Sequence, residues 1–370
     1  MTQSTAFVGL DVHKDSISVA LMSAEGVAVE LGQIQNNPTA VRKLVRRLAV
    51  KHSRLSFAYE AGPCGYGLYR QLKDMGHECL VAAPSLIPKR PGDRVKTDRR
   101  DAMALARLLR MGELTAVWVP DPHHEAVRDL VRCRDDVKQA ERRCRQRILA
   151  FLLRQGRHYD KSNWTLEHRR WLKSQQFDHQ EHQTVFDHYL HSIIEAEERV
   201  AQLEREMAES LVGWSLAPLV RGWMAMRGIK LVVAMTLASE LGDVSRFARP
   251  GGLMSFVGMV PSERSSGQSR RQGGITKSGN RHVRRVIIES AWSYRHKPCW
   301  SPTLRARAAD ASEAVRGIAW KAQKRLHKRY HRLTSLLKPS QVAVTAVARE
   351  ELGFIWAIGC QVMQEQQSLA

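Results

Sequence analysis

Short apolar runs alternate with amphipathic stretches through the first hundred residues, and this pattern constrains the fold more than any other feature of the chain. The first three runs have no helical stretch between them, and Glu25-Gly26 supplies a turn, so they predict an antiparallel meander. Two further runs follow, each after a helical pattern. The five predicted strands cover residues 7–11, 17–22, 27–34, 55–59 and 78–82.

Three helices are predicted around these strands, at residues 38–50, 66–75 and 98–111. Asn37 stands where a helix cap is expected, and Gly112 follows the third helix as a stop signal. Residues 84–96 lack a periodic pattern and are predicted to form a loop. Strands that alternate with helices in this way indicate an α/β domain, which we expect over residues 1–120.

The pattern becomes helical beyond this region. One long charged helix is predicted over residues 124–153, and a second follows the polar stretch 155–183. Apolar residues spaced seven apart mark the second helix: Phe186, Ile193, Val200 and Met207, with Tyr189, Ala196 and Leu203 as a second series. This spacing is typical of a coiled coil, and it fits an antiparallel hairpin within one chain and a zipper between subunits equally well. A zipper would place its contacts near Ile193 and Val200.

A third unit is expected over residues 213–298, with helices at 231–241 and 282–294. Pro250-Gly251-Gly252 predicts a turn, and residues 261–279, rich in Ser, Gly and Arg, predict a loop. Further helices follow to the end of the chain. We therefore expect four segments, which cover residues 1–120, 121–212, 213–298 and 299–370.

The charge balance indicates a polyanionic partner. The chain carries 58 Lys and Arg against 37 Asp and Glu, a formal net charge of +21 with a pI of about 10.2. A compact protein that repels itself this strongly is typically a binder of nucleic acid, with an anionic membrane surface as the second candidate. Because 43% of the residues are hydrophobic, the chain is not expected to be disordered.

Two classes of protein are disfavoured by composition. No apolar run reaches the ~18 residues that a membrane span needs, so no membrane-spanning segment is expected. Of the two candidate partners we expect nucleic acid and no membrane. The six cysteines are scattered without a CxxC pair, which argues against a zinc knuckle and against a disulfide framework. We therefore expect a reducing, cytoplasmic setting.

Four acids stand out in the α/β region. Asp11 and Glu60 each end an apolar run, so neighbouring strands can bring them together at one sheet edge. Asp98 and Asp101 are three apart at a helix start and therefore share a face. Four converging carboxylates need a counter-charge, which hard divalent cations such as Mg²⁺ supply. Two such ions about 4 Å apart can grip a phosphodiester.

Each acid also has an ordinary explanation when it is taken alone. An acid at a strand end is more often a turn residue, and Asp98 fits a simple helix cap. The complete order of strand with Asp, meander, helix, strand with Glu, and helix with DxxD is harder to reach by chance. That order is the layout of a ribonuclease-H-like nuclease fold.

A second constellation is strongly basic. Residues 264–332 contain 18 Lys and Arg against 3 Asp and Glu, and glycines at 273–274 and 279 permit close backbone approach to a ligand. Such a segment suits phosphate binding, although a solvated basic face is the simpler alternative. The candidate nucleic-acid-binding residues are Arg264, Arg270, Arg271, Lys277, Arg281, Arg284 and Arg285.

Three stretches around the acids resemble the signature of one family. They are Gly9-Leu10-Asp11-Val12-His13-Lys14, Tyr59-Glu60-Ala61-Gly62 and Lys96-Thr97-Asp98-Arg99-Arg100-Asp101-Ala102. They are similar to those of the bacterial insertion-sequence 110 family, the "DEDD" transposases, whose N-terminal domain resembles the RuvC Holliday-junction resolvase. The resemblance implies a RuvC-like α/β domain, a long helical hairpin and a mostly α C-terminal transposase domain.

The basic segment resembles the C-terminal domain of the same family, whose pattern is Gly-Leu-x-Pro, Ser-Gly, then Gly-x-x-x-Lys-x-Gly-Asn. The corresponding stretches are Gly258-Met259-Val260-Pro261, Ser265-Ser266-Gly267 and Gly274-Ile275-Thr276-Lys277-Ser278-Gly279-Asn280. Met259 replaces the usual Leu, and upstream Arg227 replaces the Pro of a Pro-Gly-Ile entry. The family's catalytic serine falls in the Ser-Gly segment, so Ser266 is the match and Ser265 its near rival.

The resemblance implies a mechanism and partners. Asp11, Glu60, Asp98 and Asp101 would hold Mg²⁺, and Ser266 would form a covalent link to DNA. Donor and target DNA, a non-coding guide RNA and a homo-oligomer, dimer or tetramer, are the implied partners, in a bacterial cytoplasm at the nucleoid. The alternatives are a RuvC-like hydrolytic Holliday-junction nuclease, in which the serine is a bystander, and a non-enzymatic scaffold.

Overall fold

A computed structural model describes residues 5–88, 97–267 and 269–368, and the chain divides into two compact units between Val119 and Pro120. In the described residues no helix combines the length and apolar character required to cross a membrane.

The first unit is built on a five-stranded mixed sheet. Its strands are β1 (Thr5–Val12), β2 (Ser16–Ser23), β3 (Ala28–Gln35), β4 (Arg54–Glu60) and β5 (Glu78–Ala82). Their order is β3-β2-β1-β4-β5; β1, β2 and β3 pair antiparallel, while β4 is parallel to both β1 and β5. The predicted meander and the two later strands are therefore confirmed, and so is the α/β class of this region.

In the described part of this unit the sheet is accompanied by α1 (Pro38–Ala49), α2 (Gly67–Asp74) and α3 (Asp98–Met111). Asn37 caps α1 through its side-chain oxygen, which accepts a bond of 2.8 Å from the Ala40 amide, and Gly112 ends α3 at φ 69°. The predicted loop over 84–96 begins with a 3-10 turn at Pro84–Leu86. Residues 89–96, including the first residue of the third signature stretch, lie outside the described residues.

The second unit is mostly helical. Its helices are α4 (Pro122–Arg154), α5 (Leu166–Lys173), α6 (Gln180–Glu209), α7 (Ala217–Met224), α8 (Leu231–Leu241), α9 (Pro250–Phe256), α10 (Arg281–Ala291), α11 (Pro302–Arg307), α12 (Glu313–Ser335) and α13 (Ser340–Gln367). A two-stranded sheet stands between α9 and α10, formed by β6 (Pro261–Ser266) and β7 (Ser269–Ile275). Short 3-10 turns occur at Val244–Arg246 and Trp292–Arg295.

Two expectations for this unit are wrong. The turn predicted at 250–252 is the first turn of α9, in which Leu253 is fully buried. The loop predicted over 261–279 contains the β6–β7 hairpin, whose side chains are almost all exposed. The polar stretch 155–183 holds α5 and the start of α6.

Helices α4 and α6 pack against each other in opposite directions. Arg145 bonds Glu197 at 2.6 Å, and Arg134, earlier in α4, bonds Glu204, later in α6. The four residues of the first heptad series are buried within the chain, with exposures of 7% or less: Phe186, Ile193, Val200 and Met207. Ile193 and Val200 are therefore covered by their own chain, which favours the antiparallel hairpin within one chain.

The largest buried core of the second unit includes residues from both before and after position 299. Trp223 in α7 is fully buried and donates a hydrogen bond of 2.9 Å from Nε1 to the Ile355 carbonyl in α13. Val286 and Ile287 of α10 belong to the same cluster as Val347 of α13. The C-terminal helices thus help to support the segment that carries the β6–β7 hairpin.

Candidate active-site residues

The sheet brings Asp11 and Glu60 to adjacent strand ends. The parallel register pairs Leu10 of β1 with Tyr59 of β4, and the two acids are the next residue on each strand. Side chains alternate between the faces of a sheet, so Asp11 shares the face of Gly9.

That face is the one covered by α3. A Cβ atom on Gly9 would lie 2.1 Å from the Ala102 carbonyl oxygen and 2.5 Å from the Ala106 amide nitrogen, so only glycine lets the helix lie this close to β1. On β4, Ala58 packs in a buried cluster with Leu105 of α3. Glu60, two residues further, is therefore placed on the same face. The packing brings the start of α3 to the ends of both strands.

Asp11, His13 and Asp98 form a compact group. His13 Nε2 lies 3.2 Å from Asp11 Oδ2 and 3.5 Å from Asp98 Oδ1, and the three possible ligand atoms all lie within 4.8 Å of one another. Burial raises the pKa of Asp11, the neighbouring carboxylates of Asp98 and Asp101 raise it further, and His13 only partly opposes them. Concentrated negative charge of this kind favours a bound cation.

The sequence predicted some members of this group and not others. Asp11 and Asp98 are brought together, and Asp101 is near enough for its charge to act on Asp11. Glu60, although placed on the same face, is not in the group of ligand atoms within 4.8 Å. His13 belongs to the first signature stretch, but the sequence pattern gives it no separate role. The sequence signal that could have identified it is its position two residues after Asp11, the acid that ends the first apolar run.

The donor chemistry of this group fits a divalent cation. Carboxylate oxygens from Asp11 and Asp98 are the ligands that Mg²⁺ prefers. The imidazole of His13 adds a nitrogen donor, which suits divalent ions such as Zn²⁺ and Fe²⁺. Asp11, 18% exposed, is partly sheltered, whereas Asp98 is 55% exposed, so the group is open to a phosphate ligand from solvent.

In the second unit, the β6–β7 hairpin carries the predicted serine. Ser266 ends β6 opposite Ser269, and Gly267 makes the turn at φ 57°. Because residues two apart share a face, Ser266 lies on the face of the opposed pair Arg264 and Arg271. Neither guanidinium has an ion pair with a described residue, so both are available to an anion beside Ser266.

The other face of the hairpin is different. It carries Ser265, opposite Arg270, together with Glu263. Arg270 Nη2 bonds Glu263 Oε2 at 2.7 Å, which neutralises the positive charge next to Ser265. The two candidate serines therefore have distinct electrostatic surroundings.

Close backbone contacts fix the base of the hairpin. A Cβ on Gly258 would lie 1.9 Å from the Ser278 carbonyl oxygen, and one on Gly279 would lie 2.0 Å from that of Phe256. Both glycines have positive φ, at 72° and 94°. Lys277 also has a positive φ, 57°, which is unusual for a residue with a side chain and is typical of functional sites.

Asn280 ties this segment to two helices. Its Oδ1 accepts bonds from the His282 and Val283 amides and so caps α10, while its Nδ2 donates to Glu240 Oε2 at 2.6 Å. The side chain of Glu240 is 2% exposed and also accepts two bonds from Arg132 of α4. Burial raises the pKa of Glu240, but these hydrogen bonds outweigh it and hold the pKa below its ordinary value.

The remaining predicted nucleic-acid-binding residues differ in availability. Arg284 donates to the Val257 carbonyl at 2.7 Å, and Arg285 pairs with Asp135 at 2.5 Å. These two guanidinium groups therefore already hold α10 in place. The side chains of Lys277 and Arg281 have no ion pair within the part of the chain that the structure describes.

Two family models match the chain. The model described as "Transposase", of the DEDD type of insertion sequence IS110, matches residues 8–155, and that of the "Transposase IS116/IS110/IS902 family" matches residues 223–305. The chain belongs to the IS110 family of transposases. The first match contains the four predicted acids and His13, and the second contains the β6–β7 hairpin.

Individual relatives agree with this assignment. A putative transposase, y4qE, of Sinorhizobium fredii is 46% identical over 97% of this chain and 90% of its own length. The transposase for insertion sequence element IS1533 of Leptospira borgpetersenii is 31% identical over 88% of this chain and 96% of its own length. A probable family 20 transposase of Pseudomonas aeruginosa is 23% identical over 80% of this chain and 81% of its own. This IS110-family transposase therefore resembles its relatives across both compact units.

Proposed function

We propose that this transposase cuts and rejoins DNA strands by transesterification, with Ser266 as the nucleophile and Asp11, Glu60, Asp98 and Asp101 as the carboxylates that hold Mg²⁺. The approach of the Asp11 and Asp98 oxygens to within 4.8 Å of each other, in a chain of net charge +21, carries the proposal. The strand order β3-β2-β1-β4-β5 supports a ribonuclease-H-like, RuvC-like domain as the scaffold.

The proposed chemistry has two balanced steps. In the first, Ser266 Oγ loses its proton and bonds to phosphorus, while the bond from phosphorus to one bridging oxygen breaks and that oxygen takes up a proton. In the second, a hydroxyl of another strand loses its proton and bonds to the same phosphorus, while the bond from phosphorus to Ser266 Oγ breaks and Oγ takes up a proton. The phosphodiester energy is kept in the serine link, so no nucleotide cofactor is consumed.

Charge on the phosphate must be neutralised while Ser266 attacks. Arg264 and Arg271 share the hairpin face of Ser266 and can each donate hydrogen bonds to non-bridging oxygens. The acids of the first unit would hold the divalent cation, which supplies further charge neutralisation when it is bound. We propose that both sets of residues act on one phosphodiester in the assembly with DNA.

The partners are proposed on the same basis. The charge of +21 suits an enzyme that holds donor and target DNA, together with a non-coding guide RNA. A dimer or tetramer would let the acids of one subunit serve the serine of another. Such an enzyme would act on nucleoid DNA in a bacterial cytoplasm.

Two sets of variants test the proposal. Ser266→Ala should abolish the denaturant-resistant protein–DNA adduct while DNA binding stays nearly intact, and Ser265→Ala is the matched control that should keep the adduct. Asp11→Asn or Glu60→Gln should remove Mg²⁺-dependent strand exchange. Adducts that persist in Ser266→Ala, or full exchange in both acid variants, would contradict these roles.

A hydrolytic nuclease is the second candidate, because the acids lie in a unit that does not contain the hairpin serine. In that case a metal-activated water would attack phosphorus, and Ser266 would only line the DNA. The wild-type protein would then cleave DNA without any covalent adduct, which separates the two functions in one experiment.

A further inference from the structure

A large groove in the second unit lies outside the residues assigned above, apart from Lys277. It has a volume of about 1290 Å³ and is formed by α12, α13 and the base of the β6–β7 hairpin, including Pro261 and Gly273. Six cationic side chains line it: Lys277, Arg325, Lys328, Arg329, Arg332 and Arg349. Among the described lining residues, Glu350 is the one acid.

The cations of the groove divide into two sets. Arg325 bonds Glu350, and Arg329 lies 3.9 Å from the same carboxylate, so these two are partly neutralised. The other four have no side-chain ion pair or hydrogen bond to any residue that the structure describes: Lys277, Lys328, Arg332 and Arg349. Because like charges repel, so many unneutralised cations along one groove indicate an anionic ligand with several charges.

The floor of the groove is apolar. Met254, Met259, Ile275, Ile288 and Val342 contribute to its lining. A small inorganic anion would leave this apolar surface unused. A strand of nucleic acid presents phosphates on one side and flat base faces on the other, and base faces are accessible when the strand is not paired in a duplex.

We infer that this groove binds the single-stranded DNA segment that leads to Ser266, an inference that rests on the proposed function. Pro261 lies at the groove, and Ser266 is five residues further along the same strand, β6. At ~3.4 Å per residue the hairpin spans roughly 17 Å, which corresponds to about five nucleotides of stacked DNA. Phosphates in the groove would contact Lys328, Arg332 and Arg349, and Lys277 stands where the groove meets the hairpin.

Fluorescence anisotropy with the full-length protein tests this inference. The probes are labelled oligonucleotides of one mixed sequence, as single-stranded DNA, duplex DNA and single-stranded RNA. The variant Lys328→Glu/Arg332→Glu reverses two exposed cations of the groove. The matched control, Lys321→Glu/Lys338→Glu, makes the same charge change at exposed residues of the same region that do not line the groove.

The groove variant should bind single-stranded DNA about tenfold more weakly or worse, because charged hydrogen bonds to phosphate are lost. The slope of log affinity against log salt should fall by about 1.4, since each neutralised phosphate of a single strand contributes ~0.7. The control should bind nearly as the wild type does. If both variants bound single-stranded DNA equally weakly, the effect would be one of general charge. If only the affinity for duplex DNA or for RNA fell, the groove would be assigned to that ligand. Either outcome overturns the inference.

Two further measurements keep the result interpretable. Circular dichroism melting checks that the groove variant folds, and Lys328→Gln/Arg332→Gln replaces it if it does not. Adduct formation by the wild type is measured in parallel. If the wild type forms the adduct but the groove variant binds single-stranded DNA as well as the wild type does, the role of the groove is refuted and the serine mechanism stands. If the groove variant selectively loses single-strand binding but the wild type forms no adduct, the serine mechanism is refuted and the groove stands.

Discussion

Asn280 offers a quantitative test of how the hairpin segment is held. Its side chain performs two separable tasks: the amide oxygen caps α10 with bonds of 3.0 and 3.1 Å, and the amide nitrogen donates to the buried carboxylate of Glu240 at 2.6 Å. Asn280→Ala removes both. Asn280→Ser keeps a good capping oxygen but loses the donor to Glu240, so it isolates the second task.

The expected loss of folding free energy can be worked out from the two interactions of Asn280. Loss of a helix cap costs about 1 kcal/mol of folding free energy. Loss of a hydrogen bond to a charged buried acceptor costs about 1.5–3 kcal/mol, and the side chain of Glu240 is only 2% exposed. Asn280→Ala should therefore destabilise the second unit by about 3 kcal/mol, and Asn280→Ser by about 2 kcal/mol.

Differential scanning calorimetry of the full chain measures the effect. For a unit of this size, about 3 kcal/mol lowers the melting temperature by roughly 6–12 °C, and about 2 kcal/mol lowers it by roughly 4–8 °C. Asn280→Ser should thus lie between Asn280→Ala and the wild type. If Asn280→Ala melted with the wild type, the proposed anchoring of this segment through Glu240 would be refuted.

Two further predictions concern packing and buried charge. Gly9→Ala should lower the melting temperature and the rate of Mg²⁺-dependent strand exchange, because the added Cβ would push α3 away from β1. The control Gly67→Ala should change neither, because a Cβ at that position would meet no atom within 4 Å. Unaltered strand exchange in Gly9→Ala would contradict this packing. Burial raises the pKa of Glu351 well above its unfolded value of 4.5. The contribution of Glu351 to stability therefore falls as the pH rises from 4.5 towards the pKa of the folded state. Over that window Glu351→Gln should gain about 1.4 kcal/mol per pH unit relative to the wild type in urea unfolding, and a constant difference would refute this.

The sheet could be predicted from the sequence because its evidence is local. Each strand of the first unit has an apolar run of its own, and the acids Asp11 and Glu60 mark the ends of two of them. The approach of Asp98 to Asp11 depends on how closely α3 packs on Gly9, which is a long-range contact without a local pattern. The contacts of His13 with Asp11 and Asp98 depend on the same packing of α3 against β1.

The second unit was harder to predict for two physical reasons. The β6–β7 hairpin is polar on both faces, so it lacks the alternation of apolar and polar residues that marks a strand. In α9, Pro250 fits the first turn of a helix and burial of Leu253 outweighs the low helix propensity of two glycines. Heptads in α6 predicted a packed seam, but only the structure shows that α4 of the same chain covers it.

Mass spectrometry of the trapped protein–DNA adduct identifies the residue that is covalently linked to DNA. Tryptic cleavage after Arg264 and Arg270 isolates a peptide of residues 265–270, in which fragmentation distinguishes Ser265, Ser266 and Ser269. If Ser266 is the nucleophile, the wild type carries a nucleotide-bearing phosphoester on Ser266 and Asp11→Asn does not. A phosphoester on another residue, or the same Ser266 adduct in undiminished yield from Asp11→Asn, would contradict it.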